Sequence, residues 1–337
     1  MIFPEFIKKG DVIGIAAPSD GNGEPSDYAR LDNGIKKIEE KGYEVIETAH
    51  VRNSDNGRSA DAKTRASEFM ELIANNDVKA VISAAGGDYL LEILPFIEFD
   101  LIKDNPKWFK GYSDNTGLVH TITTICDIAT IYGNNFNDFG MKNWHKSVTD
   151  SLRILEGEIV LQESFDKYQD GFYDRTTGLE EYVLTKPVNW RNINRNEELV
   201  LRGRTIGGCL DVLTSLVGTR FDKTRSFVEK YKDDGFIWYL ESFNLQAPAL
   251  TLALGQLREA GWFRYAKGFV FGRPTFYDDN ESSSYEEVVL SVLGEMDVPI
   301  ILDADIGHKP PQFSMINGAI GTLHSKDGKG SLIYNFD

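Results

Sequence analysis

Short apolar runs alternate with amphipathic stretches through the first half of this chain, and that alternation limits the fold more than any other feature. DVIGIAAPS (11–19) reads as a buried strand ending in a turn. The next stretch, YARLDNGIKKIEEKG, carries Leu31, Ile35 and Ile38 at helical spacing and stops at Gly42. YEVIET reads as a strand, SADAKTRASEFMELIANN as an amphipathic helix and VKAVISAA as a strand running into GGD (86–88). YLLEILPFI reads as helix, WFKGY as strand, NTGLVHTITTIC as helix and IATIYG as the closing strand. Strands that alternate with helices predict a parallel sheet covered on both faces. Ligands in such sheets bind beyond the carboxyl ends of the strands. APS, GGD and GYSD all fall at strand ends, so they are expected on one rim.

Between about 160 and 198 the pattern blurs into polar, aromatic and turn-rich sequence, the mark of a domain crossing with a long functional loop. Order resumes with LVLRGRTIGGCLDVLTSLVG, then GFIWYLES, APALTLALGQLREAG, KGFVFGRP, YEEVVLSVLGEM, VPIILDADIGH and a final hairpin. The expected fold is α/β: an N-terminal parallel-sheet domain over 1–165 and a second domain over 166–337. No internal repeat or low-complexity tract is visible.

Composition excludes several classes. Hydrophobic residues make up 41% of the 337 positions, enough for a substantial core. The formal net charge of −16 repels nucleic acid and anionic membranes, so neither is an expected partner. Two cysteines, Cys126 and Cys209, make no disulfide framework and suggest a reducing cytosol. The opening residues do not read as a signal segment, and no apolar run is long enough to span a bilayer.

Serine needs a base to take its proton and a third group to orient that base. Ser113 follows a strand, opens a helix and has Gly111 two residues before it, as in a nucleophile elbow, although Asn115 stands where that motif usually has glycine. The Asp114 amide at the helix start is placed to donate to an oxyanion. The alternative is that Ser113 merely caps the helix. Among the five histidines, His308 stands apart, on a glycine-flanked, proline-braced loop after a strand. His120 sits two turns along the helix from Ser113, His145 lies in a polar loop, and His50 and His324 lack site-like surroundings. Glu241 ends the apolar run FIWYL, where a carboxylate is partly desolvated and needs a partner, unless it faces water. Gly86 and Gly87 follow a strand; one of their amides can approach a ligand closely, or the pair can be a plain tight turn. No Cys/His cluster has metal spacing, and no cofactor is expected.

Taken in order, GDVIGIAAPS, the GG after the third strand, NPKWFKGYSDNT, GGCLDVL, FIWYLES, GFVFGRP and DADIGH resemble the LD-carboxypeptidase family of serine peptidases, which includes microcin C self-immunity proteins. The resemblance runs from about Lys9 to Ala319. It implies a triad of Ser113 as nucleophile, His308 as base and Glu241 as orienting acid. It implies Asp114 and Gly87 amides as the oxyanion hole, a smaller β-rich α+β C-terminal domain, and a homodimer. Two substrate readings follow: an immunity-type amidase acting on aminoacyl-sulfamoyl or phosphoramidate adenylates, or a carboxypeptidase removing terminal D-alanine from murein tetrapeptides. A non-catalytic muropeptide-binding protein and an unrelated α/β hydrolase are the alternatives. Trp190, in LTKPVNWRN, is the candidate for stacking on a nucleobase, or else it packs its loop onto the domain. Asp88 is the candidate beside the glycine pair, and Arg204, Arg273 and Lys309 are the candidate cations for a substrate anion. The chain departs from the family pattern at Asp88 and Tyr89, at Asn134 and at Cys209; the first two departures are expected to alter the pocket.

Overall fold

The computed structural model describes residues 1–195, 198–279 and 283–336. They form two compact units, Met1–Glu158 with Tyr173–Tyr182, and Ile159–Phe172 with Val183–Asp337.

The first unit contains β1 (Val12–Ala16), α1 (Pro25–Glu40), β2 (Glu44–Glu47), α2 (Ala62–Ala74), β3 (Val78–Ser83), α3 (Phe99–Asp104), β4 (Trp108–Gly111), α4 (Thr116–Cys126), β5 (Thr130–Tyr132) and α5 (Lys146–Leu155). Its strands pair in the order β5-β4-β3-β1-β2, all parallel. Ile13, Ile15, Val78, Val81 and Ile82 are fully buried, which is why β1 and β3 read as nearly continuous apolar runs. Local chemistry sets the helix starts. Asp61 accepts the amides of Lys63 and Thr64 at 3.0 and 3.1 Å and caps α2. Pro25 opens α1, where its missing N–H costs nothing. One expected helix takes another form: Leu90–Phe96 is a 3-10 helix, with Pro95 inside it. From β1 the chain passes first to β2 on one side and then to β3 on the other. In open α/β sheets such a reversal is where the ligand crevice lies, beyond the carboxyl ends of the strands.

The second unit contains β6 (Gln162–Glu163), β7 (Lys167–Tyr168), β8 (Lys186–Pro187), β9 (Arg191–Asn192), β10 (Leu199–Cys209), α6 (Leu210–Leu216), α7 (Thr224–Lys230), β11 (Phe236–Glu241), α8 (Ala247–Glu259), β12 (Ala266–Gly272), α9 (Tyr285–Leu293), β13 (Ile300–Ala304), β14 (Met315–Asn317), β15 (Ile320–Lys326) and β16 (Lys329–Tyr334). An 8-stranded sheet runs β6-β16-β15-β10-β11-β12-β13-β9. Its centre, β10 to β13, is parallel, and helices make each crossover; its flanks are antiparallel. The α/β class with a second, β-rich sheet is therefore the fold observed. No helix among the described residues is long and apolar enough to cross a membrane.

Candidate active site

In the first unit, APS, GGD and GYSD do come together. The Ala84 amide donates to Ala16 O at 2.8 Å, and the Asp20 amide donates to Gly86 O at 3.2 Å. A Cβ at Gly86 would lie 3.0 Å from the Ser113 Oγ, so the glycine pair passes directly against the serine side chain. Gly87 has φ +152, and a Cβ there would sit 2.3 Å from Ser19 Oγ; both facts demand glycine.

Ser113 caps neither helix. It opens a 3-10 turn, Ser113–Asn115, whose N-cap is Tyr112, and α4 behind it has Asn115 as its N-cap. Ser113 itself adopts φ +65, in the left-handed region, which costs a non-glycine residue free energy and marks functional turns. The surroundings hold it there. The Tyr112 amide donates to Asn135 Oδ1 at 3.0 Å and the Ser113 amide to the Tyr132 hydroxyl at 3.3 Å. Asn115, where glycine was the usual residue, donates through Nδ2 to Ala85 O at 2.9 Å and Tyr112 O at 3.1 Å, tying the elbow to the β3 loop. Asp114 is buried, and burial raises its carboxyl above the ordinary range against the opposing bonds from Ser19 and the Leu90 amide.

In the second unit, Glu241 ends β11 and His308 lies on the loop after β13. β12 lies between those strands, so the loop must pass over its end. Gly272 permits this: a Cβ there would stand 2.2 Å from Ile306 O. Gly307, at φ +90, brings the loop down on the acid, where a Cβ would meet Glu241 Oε2 at 2.8 Å. His308 Nδ1 then lies 2.9 Å from Glu241 Oε2, with the carboxylate fully buried. A buried carboxylate on Nδ1 fixes the tautomer that leaves Nε2 as the acceptor. The imidazole packs on Phe243, ring centres 4.6 Å apart.

The remaining histidines serve elsewhere. His50 pairs with Glu68 and His324 with Glu198, His145 accepts the Ser147 amide to cap α5, and His120 is buried within α4. Among the described residues no group of three or more His, Cys, Asp or Glu side chains is arranged to hold a metal ion.

Several other candidates take structural places. Trp190 is 2% exposed. Its indole donates to Asp305 Oδ2 at 3.0 Å, its ring lies against Gly330, and it packs on Phe313 at 5.6 Å. Of the two readings of Trp190, stacking on a nucleobase and packing its loop onto the domain, these contacts are those of packing. Arg273 and Arg204 are likewise built into the unit rather than held out for a substrate anion. Arg273 bonds Asp305 at 2.7 Å, Asp303 O at 2.9 Å and Lys309 O at 3.3 Å; Arg204 bonds Asp234 and Gly318 O. Lys309 pairs with Asp170 at 2.8 Å. Asp88 is exposed next to Gly87. Asn134 is fully buried and donates to Asp138 and Tyr182, so this departure is made within the interior of the unit. Cys209 pairs in register with Glu241 across β10 and β11, and burial, with Glu241 and Asp211 nearby, holds its thiol well above the ordinary range.

Sequence reasoning missed Ser19, Arg65 and Lys110. Arg65 is fully buried and donates to Pro18 O at 2.9 Å and Tyr89 O at 3.1 Å. Lys110, fully buried on β4, donates to Asn134 O. An arginine on the apolar face of a helix and a lysine within an apolar strand were the available signals.

Residues 13–133 match the family model described as the LD-carboxypeptidase N-terminal domain, and residues 202–323 match the LD-carboxypeptidase C-terminal domain. The chain is 26% identical over 306 residues to the microcin C7 self-immunity protein of Escherichia coli, covering 85% of this chain and 83% of that protein. It is 26% identical over 329 residues to the probable murein peptide carboxypeptidase of Bacillus subtilis, covering 96% and 92%. Among solved structures, an MccF-like protein from Bacillus anthracis superposes with a TM-score of 0.83 at 26% identity, over 99% of each chain.

Proposed function

We propose that this chain, which belongs to the LD-carboxypeptidase family and is a serine-type carboxypeptidase, uses Ser113 as nucleophile, His308 as general base and Glu241 as the acid that orients it. The observation that carries this reading is the buried 2.9 Å pair of His308 Nδ1 and Glu241, because such a pair prepares an imidazole for base catalysis. Ser113 at φ +65 after a strand supports its role as nucleophile. As Ser113 Oγ attacks the amide carbonyl carbon, its proton passes to His308 Nε2. The carbonyl oxygen takes up the electron pair and is held by the amides of Asp114 and Gly87, each such donor contributing a factor of about 10²–10³. The C–N bond then breaks, and His308 returns the proton to the departing nitrogen. Water attacks the acyl ester by the same route in reverse.

The substrate we assign is an aminoacyl group joined to a sulfamoyl or phosphoramidate adenylate, as in immunity-type members. The relatives named for microcin immunity support it. The second reading, removal of terminal D-alanine from murein tetrapeptides, is favoured by the burial of Trp190 and by the murein peptide relative. We place the enzyme in the cytosol as a homodimer acting on small soluble substrates, in keeping with two buried cysteines that form no disulfide and with the family resemblance.

One experiment tests both levels. The purified protein and its Ser113→Ala variant are assayed side by side on a murein tetrapeptide and an aminoacyl-sulfamoyl adenosine. Wild type is expected to cleave the adenylate faster, and the variant neither. Turnover by Ser113→Ala removes the nucleophile; preference for the tetrapeptide selects the murein reading.

A further inference from the structure

The two amides assigned to the oxyanion belong to different loops, Gly87 to the one after β3 and Asp114 to the one after β4. An oxyanion hole works only if its donors are already in place when charge develops. Something must therefore fix one loop against the other, and the residues between them show what does.

The Asp114 carboxylate is buried and turned back toward the β3 loop. Its Oδ2 accepts the Leu90 amide at 2.7 Å and the Ser19 hydroxyl. Ser19, fully buried at the end of β1, is in turn reached by the Tyr89 amide at 3.4 Å. Its Oγ occupies the space beside Gly87 that a Cβ would need. One carboxylate thus holds the C-terminal side of the Gly87 turn, Leu90 directly and Tyr89 through the serine, whose Oγ also stands against Gly87. Arg65 runs parallel to this tie, donating to Pro18 O, Ser19 O and Tyr89 O.

We propose that the Ser19–Asp114 hydrogen bond is the positioning device of the oxyanion hole, with Asp114 supplying one donor from its backbone and setting the other through its side chain. This rests on the reading of Ser113 as the nucleophile. Ser19 touches no reacting atom; it is a positioning residue that acts through Gly87. Its hydroxyl sets how deeply the glycine turn sits. Removing it lets the Gly87 amide drift, and a misplacement of about 1 Å can cost on the order of 10²-fold in rate.

The test uses Ser19→Ala and Asp114→Ala in the full chain, with Ser113→Ala beside them. The readouts are kcat, KM, thermal stability and affinity for an aminoacyl boronic acid, which forms a tetrahedral adduct on a nucleophilic serine. Ser19→Ala is expected to lower kcat by about 10- to 100-fold with KM within about threefold, and to weaken boronate binding in proportion to kcat. The double variant is expected to be no slower than the slower single one, since both cut the same tie. If one single variant fails to fold, the other carries the boronate measurement. Should the folded variants keep kcat and boronate affinity within twofold of wild type, the tie is overturned. A fall in thermal stability with unchanged kcat also overturns it, because it makes Ser19 a packing residue. Turnover by Ser113→Ala removes the nucleophile reading itself, so the two failures are told apart.

Discussion

Replacing Glu241 by Gln isolates the electrostatic part of the His308–Glu241 pair, since the substitution keeps the shape and removes the charge. The carboxylate is fully buried, and its oxygen lies 2.9 Å from Nδ1. When His308 takes the serine proton, an imidazolium forms beside that oxygen. Taking the charge centres as about 4 Å apart at an effective dielectric of about 20, the attraction is about 4 kcal/mol, or about three decades of rate. A second route gives a similar figure. An amide can offer its N–H to Nδ1 and so drive the ring proton to Nε2, the atom that has to accept. The wrong tautomer costs about 10⁴ in a serine triad. We therefore expect kcat to fall between about 10³- and 10⁴-fold, with thermal stability nearly unchanged. The assay is steady-state hydrolysis across pH, with circular dichroism melts as control. A variant that retains more than a tenth of wild-type kcat at neutral pH refutes the assignment of Glu241.

Three further outcomes follow from the buried groups. Burial pulls the Lys110 ammonium down to about 7. Its folded value lies below the unfolded value of about 10.4, so the unfolded chain binds more protons between them and stability rises with pH across that window; below pH 7 the penalty is complete. Lys110→Met should flatten the rise by about 2 kcal/mol between pH 7 and 9, seen as a change in the Tm difference between the two proteins; parallel Tm curves would contradict it. Trp190→Phe strips a donor from buried Asp305 and should cost about 1–3 kcal/mol in thermal unfolding while leaving KM for adenylate substrates unchanged; a raised KM without loss of stability would restore the stacking role. Arg273→Met leaves Asp305 buried without its cation and should cost about 3–5 kcal/mol, and adding Asp305→Asn should recover part of it; no recovery would mean that the pair is not the cause.

The sequence made the first sheet legible because its strands are buried on both faces. VIGIA and VKAVIS carry no polar alternation to confuse them with surface strands. The elbow was legible in outline from a strand, a glycine and a serine before a helix. Its decisive feature, φ +65 at Ser113, was not, since the sequence only raised a choice between cap and nucleophile. Sequence alone leaves Trp190 open between stacking and packing. Its polar, turn-rich surroundings could not choose between them, because its partner Asp305 lies 115 positions away. Arg273 was hard to place for the same reason, with its acid 32 positions along the chain. Local pattern reports which face of an element is apolar; it does not report which distant carboxylate a cation or an indole will find.

These long-range pairings have a common effect. Glu241 and Asp305 are both fully buried, and both converge on the loop that carries His308, the first through Nδ1 and the second through Arg273. Arg273 bonds the carbonyls of Asp303 and Lys309, on either side of the histidine, and Asp303 stands at φ +62. A loop with a left-handed aspartate and a left-handed Gly307 would relax if left alone. Buried charge-assisted hydrogen bonds at both ends are strong enough to hold it. The Ser113 loop uses the same means: a left-handed serine, fixed by Asp114, Asn115 and Asn135. Each half of the proposed triad thus rests on a strained turn clamped by buried polar side chains. Arg273, a candidate for a substrate anion, is one of the bonds that hold the His308 loop.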